Sequence, residues 1–205
     1  MRPGRLEAFS DGVIAVLITI MVLELRIPHG ADLAALRPLL PILGSYLLSF
    51  VFLGIYWNNH HHMLHAVERI DGRALWANHH LLFWLSLTPF ATAWMGETGA
   101  APLPVALYGA VLLLAAIAYT ILQTVLIAAQ GPRSRLASAV GGDTKGKFSI
   151  LAYAAAIPLA FVERSISIGL YITVAMIWLV PDRRIESKLH QAPEPSPGQP
   201  PTHPS

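Results

Sequence analysis

The sequence has no cysteine, which excludes disulfides, thiolate metal centres and a cysteine nucleophile. Charge is scarce as well. Only 13% of residues are Asp, Glu, Lys or Arg, and the 14 basic residues, in a chain of net charge +2, are too scattered for a nucleic-acid footprint. Gly-x-Ser-x-Gly, paired intramembrane aspartates and a nucleotide loop are all missing, so no enzyme is expected. The first apolar run lacks a small-x-small cleavage site and is followed by Glu24 and Arg26, which argues against a cleaved signal peptide. What remains is oily: 54% of the 205 residues are hydrophobic and the mean hydropathy is +0.53, well above a soluble domain.

Apolar runs of about 20 residues are long enough to cross a bilayer as helix. The chain reads as an all-α polytopic membrane protein of six spans: 5–25, 36–59 (extending as helix to 67), 73–95, 103–130, 147–162 and 165–180. Pro38, Pro41 and Gly44 delay the start of the second helix. The last two spans, separated by Glu163-Arg164, form either a tight hairpin or one broken helix, and 133–146 reads as a polar loop. Residues 1–188 make the membrane domain, and 189–205 a Pro-rich disordered tail. With the N-terminus inside, eleven basic residues face the cytoplasm: Arg2, Arg5, Arg69, Arg73, Arg133, Arg135, Lys145, Lys147, Arg183, Arg184 and Lys188. Arg26, Arg37 and Arg164 face out. That bias puts both termini in the cytoplasm, which an even number of spans requires.

The first span opens on Arg5-Leu6-Glu7-Ala8-Phe9-Ser10-Asp11, polar groups that are costly at the mouth of a membrane helix without a defined partner. Ser10 and Asp11 suit an N-terminal cap. Helical rotation of about 100° per residue places Thr19, Ile20 and Leu23 within about 60° of Val16, on a stripe about 10 Å tall. Asp11 falls about 140° from Val16, and Arg5 about 120° from Asp11, so the two do not pair. Any packed helix carries such a stripe, and on residues alone it fits ordinary packing. Glu24 pairs with Arg26 or draws cations to an outer mouth.

The next polar cluster is rich in histidine. Trp57-Asn58-Asn59-His60-His61-His62-Met63-Leu64-His65 ends the second span, and Leu75-Trp76-Ala77-Asn78-His79-His80 opens the third. His61 and His65 are one helical turn apart, a spacing that can place two imidazoles on one metal. No Asp or Glu lies among the histidines of 60–65 and no His-Glu-x-x-His occurs, so no metal site is expected. A hydrogen-bonded belt at the interface, joining the first three helices, is the stronger reading. His62, His79 and His80 have no role that the sequence assigns.

Three patterns occur in order: Arg5-x-x-x-Phe9-Ser10-Asp11, Trp57-x-x-His60-His61, and Leu75-x-x-Asn78 followed by Pro89-Phe90-Ala91-Thr92. Together they resemble the transmembrane protein 175 family, the endosomal and lysosomal potassium channels and their bacterial relatives. The resemblance covers 5–92. It implies a potassium-permeable leak channel in the cell membrane, with K+ permeating passively and no cofactor. The bacterial members carry one six-helix unit per chain and form homotetramers around a central pore. Their first helices line that pore with hydrophobic rings and a threonine ring. No Thr-Val-Gly-Tyr-Gly carbonyl filter is present here either. Carried over, Val16, Thr19 and Leu23 are ring residues with Ile20 beside them. Arg5, Phe9, Ser10, Asp11, Trp57, His60, His61 and Asn78 form the network that holds the pore helix. The alternative is a membrane protein that handles metal or haem through its histidines.

Overall fold

The computed structural model of the chain describes residues 3–131, 134–141 and 143–179, apart from the side chains of Arg135 and Ala139. The tail 189–205, the end of the expected sixth span at Val180, and Arg2, Arg133, Arg183, Arg184 and Lys188 lie outside the described residues. Every regular element described is helical: α1 (Pro3–Leu23), a 3-10 segment (Leu33–Leu39), α2 (Leu40–His65), α3 (Gly72–Ser86), α4 (Thr88–Glu97), α5 (Pro102–Gln130), α6 (Arg135–Val140), α7 (Thr144–Leu159) and α8 (Arg164–Leu179).

Local chemistry sets the boundaries. Asp32 caps the 3-10 segment by accepting from the Ala35 N–H, and α2 begins only after Pro38, with Pro41 in its first turn, where a missing N–H costs nothing. Asp71 caps α3 through the Ala74 N–H at 2.8 Å. The expected third span is two helices rather than one. Pro89 has no N–H to give to the Leu85 carbonyl and its ring crowds that group, so the helix breaks at Leu87. The expected loop at 133–146 holds a helix, α6, capped by the Ser134 hydroxyl on the Ala137 N–H, and the first turn of α7, capped by Asp143 on the Gly146 N–H.

The last two helices form a hairpin. The Trp178 indole N–H donates to the Ser149 hydroxyl at 2.9 Å and the Ser167 hydroxyl to the Ala156 carbonyl at 2.7 Å, a pairing only antiparallel neighbours can make.

The core divides into two apolar clusters that share α2 and α5. One packs Ile14, Leu17 and Met21 of α1 against Leu81 and Leu85 of α3 and Leu122 and Leu126 of α5. The other packs Phe52 of α2, Met95 of α4, Tyr108 and Leu112 of α5, and Tyr153 and Tyr171 of α7 and α8. Large apolar side chains also cover the outside, among them Trp76, Phe83, Phe90, Leu151 and Met176. Exposed apolar side chains in that number suit lipid rather than water. Among the described residues, Pro3–Leu23, Leu33–His65 and Pro102–Gln130 are long and apolar enough to cross a membrane.

Close approach of α5 and α8 depends on Gly109: a Cβ there would strike the Tyr171 side chain, whose hydroxyl donates to the Val105 carbonyl at 3.0 Å. Gly109→Leu is expected to destabilise the bundle by about 1–3 kcal/mol through overpacking, read as a lower Tm in detergent. Gly4→Ala, with nothing near its added methyl, is expected to leave Tm unchanged.

Candidate functional site

The rotation of α1 is the central geometric fact. Leu6, Ser10, Ile14, Leu17 and Met21 are buried and form its packed face. Phe9, Val16, Thr19, Ile20 and Leu23 are exposed on the opposite face, Leu23 at 82%. The Thr19 hydroxyl donates to the Val16 carbonyl at 2.8 Å. Its single proton is thereby committed to the backbone, and its oxygen keeps lone pairs to present outward.

Two polar seams hold this rotation. The first runs to α3 and is fully buried. Ser10 lies two turns inside α1 and therefore does not cap it; its hydroxyl donates to the Leu6 carbonyl at 2.9 Å. It must then accept from Asn78, whose Nδ2 lies 3.0 Å away. The Asn78 oxygen consequently faces His60, whose Nε2 lies at 2.7 Å and must carry the proton. Direction is fixed along the whole chain of bonds, from His60 through Asn78 and Ser10 to the backbone. The other imidazole nitrogen, Nδ1, is buried with no partner among the described residues. As an unprotonated acceptor in the neutral ring, it is the cheaper kind of group to leave unmade.

The second seam runs to α2. Asp11, also inside α1 rather than at its cap, accepts from the Trp57 indole N–H at 3.0 Å. One turn earlier, Glu7 Oε1 meets His61 Nδ1 at 2.6 Å and His65 Nε2 at 3.2 Å. Residues 7 and 11 of α1 thus match 65/61 and 57 of α2 in antiparallel register, one turn per step. Trp57 stacks on His61 with ring centroids 5.9 Å apart, and the His65 ring lies tilted against His61 at 4.3 Å.

Of the residues the sequence groups together, the structure joins Ser10, His60 and Asn78 in one seam and Asp11, Trp57 and His61 in the other. Phe9 stands apart, stacked on His79 at 5.6 Å. Arg5 is exposed and makes no ion pair or hydrogen bond among the described residues. Glu7 carries no weight in the sequence reading, although its spacing of four from Asp11 places both carboxylates on one seam. His79 Nδ1 bonds the Leu75 carbonyl at 2.8 Å, His80 accepts from Trp84 at 2.9 Å, and His62 packs edge-on against His61. Arg26 pairs with Glu97 of α4 rather than with Glu24.

A second buried polar cluster was also not foreseen. The Ser49 hydroxyl of α2 contacts the Thr92 hydroxyl of α4 at 2.6 Å and the Tyr108 hydroxyl of α5 at 2.9 Å. Three hydroxyls from three helices therefore satisfy one another in the apolar interior, with Thr92 donating to the Thr88 carbonyl at 2.6 Å.

Comparison with known proteins places this arrangement. A family model described as endosomal/lysosomal potassium channel TMEM175 matches residues 5–89, the segment that carries both seams. A potassium channel of Chryseobacterium sp. is 52% identical over 191 residues, covering 93% of this chain and 100% of that protein. A potassium channel of Streptomyces collinus is 37% identical over 98 residues, 46% of this chain and 48% of that protein. Among solved structures, a lysosomal potassium-selective channel TMEM175 homolog from Chamaesiphon minutus superposes with a TM-score of 0.75 at 28% identity, covering 87% of this chain and 96% of that one.

Asn78 is the link both neighbours require. Asn78→Leu is expected to cost about 1–3 kcal/mol by stranding the buried His60 N–H, seen as a lower Tm. Ser10→Ala made in the Asn78→Leu background is expected to cost less than Ser10→Ala alone, so that a double-mutant cycle shows coupling.

Proposed function

The chain belongs to the TMEM175 family, and on that premise we propose that it is a potassium channel, not an enzyme, whose leak-type pore is lined by α1. The observation that carries this reading is the free face of α1. Val16, Thr19, Ile20 and Leu23 are exposed on a single chain, while the two seams on the other side hold the helix at a fixed rotation. Had these four side chains been buried in the bundle, no pore could include them.

One chain supplies one such helix, and a pore needs several around an axis. A homotetramer in the cell membrane stacks four copies of Val16, Thr19 and Leu23 into rings. Six spans follow when α3 and α4 are taken as one broken crossing and α7 and α8 as two short ones, with both termini cytoplasmic. In such a pore the threonine ring offers four hydroxyl oxygens whose protons are spent on the backbone, leaving lone pairs for a cation. Val16 and Leu23 supply constriction by size alone. Permeation is passive, and the potassium ion is the only ligand required.

Planar-bilayer recording of the purified protein under opposed potassium and sodium gradients tests the assignment. Thr19→Val, which keeps the shape and removes the hydroxyl, is expected to move the reversal potential toward zero. Leu23→Ala is expected to change the conductance. Currents from both variants that match the parent protein would overturn the assignment of α1 to the pore.

A further inference from the structure

The α2-facing seam holds a constellation whose chemistry goes beyond orienting α1. Sequence spacing offers the histidines no carboxylate, but the fold brings one from another helix. His61 and His65 sit one turn apart on α2, and both aim a ring nitrogen at the same oxygen of Glu7, at 2.6 and 3.2 Å. The three potential ligand atoms lie within 4.8 Å of one another.

We propose that Glu7, His61 and His65 form a mononuclear site for a divalent transition metal of the Zn2+ class, bridging α1 and α2. Two imidazoles and one carboxylate are a borderline-soft N2O set, suited to Zn2+, Co2+ or Ni2+ and poor for Mg2+ or Ca2+, which demand oxygen. Donors about 2.0–2.1 Å from a tetrahedral ion stand about 3.3 Å from each other. The His65–Glu7 separation already has that value, and His61 reaches it by a small ring rotation. The fourth position falls to water. The site opens on the His65 side, where the side chain is 61% exposed, while Glu7 is only 16% exposed and anchors the ion against the bundle. Trp57, stacked on His61, limits the rotation of that ring.

The apo geometry suits loading. Each imidazole can donate to Glu7 as a neutral tautomer, so a metal displaces the two N–H bonds by moving each proton to the other ring nitrogen. The bound ion then fastens α1 to α2 more firmly than the hydrogen bonds it replaces.

The test uses the full chain, free of any histidine tag, in detergent after chelator treatment. Zn2+ is titrated by calorimetry, and retained metal is counted by elemental analysis. One Zn2+ per chain and a rise of Tm with Zn2+ are expected. Glu7→Gln and His61→Ala are expected to weaken binding more than about 100-fold, beyond what loss of a mere outer-shell partner costs. Should either variant not fold, His65→Ala, the most exposed ligand, carries the same expectation. His29→Ala and His80→Ala are expected to bind as the parent does. Substoichiometric zinc on the parent protein, or an equal loss in His29→Ala or His80→Ala, would overturn the proposal. Because the readout is bound metal rather than current, its failure is distinct from failure of the channel assignment.

Discussion

The angular setting of α1 is the constraint on which the rest depends. In a bilayer, lipid tails are as apolar as leucine, so hydrophobic burial does little to choose which face of a helix packs inward. Small residues and polar pairs must choose instead. Here Ser10 commits α1 to α3, while Glu7 and Asp11 commit it to α2. The two directions differ by roughly a quarter turn on a helix of 3.6 residues per turn. A helix tied along two such lines cannot roll, and its remaining face is presented outward at a defined angle.

The same economy recurs in the other half of the bundle. Ser49, Thr92 and Tyr108 tie α2, α4 and α5, the Tyr171 hydroxyl ties α8 to α5, and Ser149 and Ser167 close the α7–α8 hairpin. Each such bond inside a membrane is worth about 0.6–2 kcal/mol, modest singly. Their value lies in geometry, because each is met by only one register of the two helices. The break at Pro89 contributes as well. α4 restarts at Thr88 with Pro89 in its first turn, and Thr92 bonds the Thr88 carbonyl there while reaching Ser49.

Much of this was legible in the sequence because the polar residues are few. Ser10, Asp11, Trp57, His60, His61 and Asn78 stand out against apolar surroundings, and their spacing marks which turns they occupy. The helical fold follows from the same scarcity. What the sequence does not carry is which residues of different helices become partners. Ser10 and Asp11 fit a cap until the helix is seen to begin at Pro3, two turns earlier. Glu7 looks like an interfacial charge until α2 lies antiparallel beside it. Arg26 finds Glu97 across 71 residues rather than its neighbour Glu24. Local rules also have limited reach in the other direction. Asp143 and Ser134 are recognisable caps, yet the short helix α6 between them is lost in a segment whose composition reads as loop.

The exposed stripe of α1 gains its meaning from the same two seams. A row of Val16, Thr19, Ile20 and Leu23 on an isolated helix has no direction, and lipid would accept it. Fixed opposite both neighbours, it becomes a face of α1 that the described residues leave exposed from Val16 to Leu23. Its composition then matters. A lipid-facing stripe has no use for a hydroxyl, and the Thr19 oxygen there accepts no bond among the described residues. In the proposed tetramer that oxygen is turned from a minor cost into polar surface on the path. In that proposed assembly, ion preference would come from a ring that no single chain possesses, and each bundle would serve to hold one threonine toward an axis outside itself.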